Sequence, residues 1–169
     1  MSKLSVRRSE RGASMIEFAL IAPVFFLLLF TIIEGSAAFY ARNTIGLAIA
    51  DSARAGSIGG SDADVITKTV ASTDKAFGSD VELIIIYKAS DVDSEPEASC
   101  IAGVSGPSCA VYGPSSFVSP TCSGWCKADR NADDLLGVWV RTKFNGITGA
   151  NPFNFTWIDK SITIVEPGV

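Results

Sequence analysis

The chain contains no histidine, so no serine–histidine–aspartate or cysteine–histidine nucleophile can be assembled from it, and the commonest side-chain metal ligand is missing. No cysteine precedes Cys100, and Cys100, Cys109, Cys122 and Cys126 follow one another with eight, twelve and three residues between them. That spacing offers neither the paired C-x2-C knuckles of a zinc ribbon nor a redox C-x-x-C. A basic surplus is missing as well. Of the fourteen bases and eighteen acids, Lys3, Arg7, Arg8, Arg11 and Glu10 lie in the first twelve residues, and Glu17 and Glu34 in the apolar stretch that follows. Residues 35–169 are left with ten bases and fifteen acids, and an acidic domain of this kind has no electrostatic reason to bind nucleic acid. An enzyme built from this chain would have to work with carboxylates alone, as glycosidases do, and nothing marks such a pair. No catalytic residue, cofactor or metal ligand is assigned, and the reading is of a noncatalytic structural protein.

What is present is uneven. Apolar residues make up 47% of the chain, and much of that share lies in Met15–Ile33. From Ala13 to Ile33 the only charge is Glu17, and a helix of that length spans roughly 30 Å, the thickness of a bilayer's hydrocarbon core. Pro23 removes one backbone hydrogen bond from this helix, a defect that neighbouring helices compensate in membranes. The basic residues before the run should stay cytoplasmic, which places the rest of the chain outside the cytoplasm. A buried core helix would carry a polar face, and this run has none. A cleaved signal peptide is a second possibility, with Ser36-Ala37-Ala38 or Ala38-Phe39-Tyr40-Ala41 as the small residues at the cut. That reading leaves Glu17 unexplained, because the apolar region of a signal peptide gains nothing from a carboxylate. Arg7-Arg8 lacks the apolar residues that a twin-arginine signal needs after it.

The third reading explains the glutamate. Arg11-Gly12-Ala13-Ser14-Met15-Ile16-Glu17-Phe18 resembles the G-x-x-x-x-E junction of type IV prepilins and pseudopilins, with bases before it and an apolar run after it. The resemblance implies that a prepilin peptidase cuts between Gly12 and Ala13, and that Glu17 meets the new amino terminus of a neighbouring subunit. Beyond the junction, Glu34-Gly35-Ser36-Ala37-Ala38-Phe39-Tyr40-Ala41-Arg42-Asn43 and Ala50-Asp51-Ser52-Ala53-Arg54-Ala55-Gly56 are similar to the segments that follow the membrane helix in TadE-like proteins of the tight-adherence (Tad, Flp-type) pilus. TadF-like proteins share that size and architecture. The implied partners are the prepilin peptidase, a TadF-like minor pilin, the major Flp-type pilin and the inner-membrane assembly platform. The implied location is the bacterial inner membrane, crossed once with the N-terminus inside, and from there the extracellular pilus. The implied role is pilus initiation or tip assembly and, through the pilus, adhesion. An anchored assembly factor that never enters the filament is the rival.

The domains follow from this: leader 1–12, membrane helix 13–33, helix continuation 34–58, and an extracytoplasmic α+β domain over 59–169. In the continuation, Ala38, Ala41, Ile45, Ala48, Ile49 and Ser52 form a small-residue stripe suited either to close helix contact in a filament or to the chain's own domain, with Asn43, Asp51 and Arg54 off it. Gly56, Gly59 and Gly60 end that helix. Ser61 caps a second helix to about Phe77, with Ile66, Val70, Thr73 and Phe77 on one face and Gly78 as its stop. Three strands are expected, at Val81–Tyr87, Leu135–Phe144 and Phe155–Val165, forming an antiparallel sheet against the helix, as in pilins. Val81, Leu83, Ile85 and Tyr87 share one side of the first. Leu136, Val138, Val140 and Phe144 share one side of the second, and Ile158, Ile162 and Ile164, with Lys160 among them, one side of the third.

The segment 89–134 reads as a long surface loop that needs staples. Four cysteines outside the cytoplasm favour two disulfides over zinc; of three possible connectivities the sequence-local pairs Cys100–Cys109 and Cys122–Cys126 are preferred. Two acidic clusters, Asp91–Glu97 and Asp129–Asp134, could offer oxygen ligands to calcium, but neither has the glycine and glutamate of an EF-hand loop, and solvated surface charge is the simpler account. Tyr112, Phe117 and Trp125 are candidates either for a partner surface or for packing of the loop onto the sheet.

Overall fold

The computed structural model describes residues 7–76, 78–147 and 154–167, with side chains from residue 12 onward. The chain divides into two compact units, one ending at Ser36 and the other beginning at Ala37. A single helix, α1 (Arg7–Ser57), contributes to both and continues through Pro23. Up to residue 33 its apolar side chains are exposed on every side: Met15, Phe18 and Leu20 are 76, 70 and 73% exposed. Two of its hydroxyls bond back along the helix, Thr31 donating to the Leu27 carbonyl at 2.8 Å and Ser36 to the Ile32 carbonyl at 2.7 Å. From Gly12 on, α1 is long and apolar enough to cross a membrane.

The second unit is α+β. Helix α2 (Asp62–Thr73) starts with a capping box: the Asp64 amide donates to the Ser61 hydroxyl, and the Ser61 amide donates to Asp64 at 2.8 Å. This holds the Asp64 carboxyl below the usual carboxylate range. The helix ends at Thr73, one turn short of the expected end, and Phe77 lies outside the described residues. Strand β1 (Ser79–Ala89) is followed by a single helical turn, α3 (Ala98–Ile101), and by β2 (Cys109–Tyr112), β3 (Leu135–Phe144) and β4 (Phe155–Ile164). The sheet is antiparallel with order β2-β1-β3-β4, so it has four strands where three were expected. The extra strand is four residues of the long loop, too short for its alternation to stand out.

Each face of the sheet has its own core. Toward the helices, Ile84, Ile86, Leu136, Val138, Val140 and Phe144 pack on Ala41, Ile45, Ile49 and Ala53 of α1 and on Val65 and Ile66 of α2. On the opposite face Ile85, Tyr87 and Trp139 pack with Cys100 and Cys109. The alternation expected for β3 is present, with Trp139 opposite in sense to its neighbours. In β1 it breaks. Val81 pairs with Thr142 but Leu83 with Arg141, so Glu82 is an extra residue that turns Val81 to the helix side while Leu83, Ile85 and Tyr87 face away from it.

Gly137 lies directly opposite Tyr87, and a Cβ there would stand 2.3 Å from the phenol ring. The ring is buried and its hydroxyl donates to the Ser94 carbonyl at 2.7 Å, so it has little room to yield. Gly137→Ala should lower unfolding stability by about 1–3 kcal/mol in urea titration, and Tyr87→Leu in the same chain should recover part of the loss.

Candidate functional site

Gly12, Ala13 and Glu17 lie on one continuous stretch of α1. Nothing stands within 4 Å of where a Gly12 Cβ would be, and residues 13–21 are exposed, so the Gly12–Ala13 bond is not sheltered by the chain's own side chains. Glu17 follows Ala13 by four residues, which puts the two on the same helix face about one turn apart. Glu17 therefore projects from the same face as the Ala13 side chain, beside apolar Ile16 and Leu20. Glu34, by contrast, is buried.

Further along α1, the small-residue stripe is committed to the chain's own core. Ala41, Ile45, Ala48, Ile49 and Ser52 are buried, and Ala38 packs against the same cluster. Asn43, Asp51 and Arg54 are exposed, together with Phe39, Tyr40 and Leu47.

The loop between β1 and β3 is ordered by covalent and polar ties. Disulfides join Cys100 to Cys109 and Cys122 to Cys126. The first ties α3 to β2 under the outer face of the sheet; the second brackets Trp125, which is buried in the helix-side core with Tyr112, while Phe117 packs against it. The aromatics of the loop thus serve packing. The acidic clusters are also occupied. Lys160 of β4 donates to the Asp93 and Ser94 carbonyls and reaches Glu95 Oε1 at 2.7 Å. Asp129 accepts from the Cys126 amide, Asp134 from the Asn131 amide, and Asp134 pairs with Lys88 at 2.8 Å. Lys88 and these hydrogen bonds hold Asp134 low against the opposing effect of burial. Among the described residues no group of acids or cysteines is arranged to hold a metal.

One constellation escaped sequence reasoning. Arg130 reaches 68 residues back to pair with Asp62 at the start of α2; Tyr112 donates its hydroxyl to the same carboxylate at 2.6 Å; and Trp125 lies under the guanidinium at 5.3 Å. The Arg130 and Asp62 side chains keep 3 and 7% of their exposure. Read along the chain, Asp62 looks like an ordinary first-turn acid and Arg130 like one charge in an acidic cluster, and no spacing connects them. Lys127 completes the clamp by donating to the Gly59 carbonyl.

Compared with known proteins, residues 12–54 match the model of the TadE-like protein family, so the match opens on the junction glycine. No curated protein and no solved structure matches the chain.

Removing Asp62 leaves a buried guanidinium without its carboxylate, and Asp62→Ala should cost about 3–5 kcal/mol of unfolding stability. Tyr112→Phe, which removes one hydrogen bond, should cost about 1–2 kcal/mol. Both are read by urea denaturation. Burial pushes the Tyr87 phenol up from 10.0 to about 12, with Glu95 and Asp91 adding to it, and Tyr112 is raised by burial and by its bond to Asp62. The folded state holds the Tyr87 proton more tightly than the unfolded chain does, so its stabilisation is complete below pH 10 and disappears as pH rises through about 12. Tyr87→Phe should make that alkaline decline shallower.

Proposed function

Starting from a chain whose residues 12–54 are TadE-like, we propose that the protein is a minor pilin of a tight-adherence pilus, made as a precursor, cut between Gly12 and Ala13, and passed from the inner membrane into the filament. The observation that carries this reading is the junction itself. Basic residues precede Gly12, a membrane-length apolar helix follows it, and Glu17 sits on that helix one turn beyond the cut. A carboxylate in the apolar segment costs about 2.5–3.5 kcal/mol at the bilayer centre and less toward its edge, so it favours a state in which it has a partner. The cut creates one, an α-amino group of ordinary pKa near 8. Between subunits the amine of one chain and Glu17 of the next would form an ion pair that sets the axial register, because pairing in low dielectric selects geometry more than it adds stability.

In this role the chain has no catalytic residue. It acts with a prepilin peptidase, a TadF-like minor pilin, the major pilin and the inner-membrane platform, at the initiation or tip of the filament that attaches the cell to surfaces. Exposed apolar residues on every side of α1 up to residue 33 support a single-pass anchor before assembly. The disulfides Cys100–Cys109 and Cys122–Cys126 suit an extracytoplasmic second unit. An anchored assembly factor outside the filament has one observation in its favour: the stripe at Ala41, Ile45 and Ile49 is spent on the chain's own core.

Mass spectrometry of the chain expressed with its native export and processing machinery should show a mature N-terminus at Ala13, and Gly12→Leu should leave the leader in place. Glu17→Ala should be processed normally yet be depleted at least about tenfold from sheared pili, the size expected if a buried ion pair sets register. A mature chain beginning near Phe39 or Arg42 would instead mean signal-peptide cleavage and would sink the pilin reading. Wild-type protein cut at Ala13 but absent from sheared pili would point to the assembly factor.

A further inference from the structure

The two disulfides differ in access. Cys100 and Cys109 keep no exposure and are enclosed with Ile85, Tyr87 and Trp139 in the outer core. Cys122 and Cys126 are half-buried, and Thr121, Ser123, Gly124 and Lys127 around them are exposed. Thiol–disulfide exchange requires a thiolate to reach one of the two sulfurs. An exchange partner therefore meets the Cys122–Cys126 bridge and is kept from the other.

That accessible bridge joins residues four apart, and the small ring it closes holds Trp125. Trp125 is 3% exposed, and its amide donates to the Cys109 carbonyl at 3.3 Å. Beside it Gly124 has a φ of 110°, and a Cβ there would run into the Cys109 and Gly106 carbonyls, so the ring sits closely on the strand below. Directly after the ring, Lys127 donates to the Gly59 carbonyl and Arg130 pairs with Asp62. One short stretch, 122–130, thus fastens the turn between α1 and α2. Its closed arrangement carries a cost of its own. Arg130 Nε and Nη1 are excluded from water and have no acceptor among the described residues. A buried donor without an acceptor favours an open state in which water supplies the bond. The Asp62 carboxylate, the Trp125 ring and the covalent ring oppose that opening, and only the last can be removed by a reaction at the surface.

We propose that Cys122–Cys126 is a thiol–disulfide exchange site whose redox state sets how firmly residues 122–130 close over the turn between α1 and α2. The partner is an external dithiol. One of its thiolates attacks a sulfur of the bridge, the S–S bond breaks, and the other cysteine leaves as a thiolate that takes up a proton. The second thiol of the partner then resolves the mixed disulfide. The partner gives up two electrons and becomes a disulfide, Cys122 and Cys126 become thiols, and the reverse exchange closes the clasp. Cys100–Cys109 stays intact and keeps the outer core. In the chain-entropy account, opening a ring of this size shifts the balance between closed and open forms of the segment by roughly thirtyfold at 25 °C. The site stands whether or not the chain enters a filament.

The test uses the full chain in detergent micelles, treated with dithiothreitol without denaturant, then alkylated and mapped by mass spectrometry. Cys122 and Cys126 should be labelled at least about tenfold faster than Cys100 and Cys109, as access to the sulfurs requires. Hydrogen exchange on the protein reduced at this one bridge should show the Trp125, Asp129 and Arg130 amides exchanging about thirtyfold faster. The Gly60, Ser61 and Val65 amides at the turn should exchange faster as well, while those of β1 and β3 keep their rates. Reoxidation should restore the original pattern, and Cys122→Ser combined with Cys126→Ser should reproduce the loosened one without reductant. Equal labelling of the four cysteines, or unchanged exchange at 122–130 after reduction, would overturn the proposal. So would loosening of 122–130 that leaves the turn fully protected, or loss of protection across the whole sheet, which would make the bridge an ordinary staple of the fold.

Discussion

Ile84, Ile85 and Ile86 point alternately to the two faces of the sheet, and none of the three keeps any contact with water. A strand buried on both sides needs two covers, and the rest of the second unit is arranged to provide them. Burying three such side chains is worth about 1.5–3 kcal/mol each, which no surface interaction in this domain approaches. One cover is regular: the stripe of α1 and the Val65–Ile66 face of α2. The other is the chain between β1 and β3, which has almost no regular structure and is too polar to collapse on its own.

That irregular cover explains where the cross-links lie. The Cys100–Cys109 disulfide is itself part of the outer core with Ile85, Tyr87 and Trp139. Lys160 fastens the stretch at 93–95, Tyr87 holds the Ser94 carbonyl, and Arg141 donates to the Ile101 carbonyl at 3.4 Å. On the helix side, Arg130, Tyr112 and Trp125 gather around Asp62, so the end of the loop and the start of α2 are held by one carboxylate. Glu95, Asp129 and Asp134, which look like solvated surface charge, are therefore anchors whose oxygens are used by lysines and backbone amides.

α1 meets two different requirements along its length. Up to residue 33 its exposed side chains are apolar on every side but for Glu17 and two hydroxyls, a surface suited to lipid; from Ala41 onward it buries one side and exposes Asn43, Asp51 and Arg54 on the other. The TadE-like match, residues 12–54, covers this helix and stops before the sheet domain. The similarity to the TadE-like family therefore rests on the helix, both its apolar stretch and the part that packs on the chain's own core.

What depends on neighbours a few residues apart was legible in the sequence: the membrane-length helix, the start of α2 at Ser61, the inside–outside alternation of β3, and the reading of 89–134 as a loop in need of staples. Each is a periodicity or a short motif, and local chemistry is enough to produce it. Tertiary structure decided what depends on residues far apart. The choice between filament and own core for the Ala41–Ile49 stripe, the extra residue Glu82 that reverses Val81, the fourth strand at Cys109–Tyr112, and the pairing of Asp62 with Arg130 all depend on which surfaces come to face each other. A carboxylate 68 residues from its guanidinium has no pattern along the chain, because the free energy that joins them arises only after the sheet has excluded water from both.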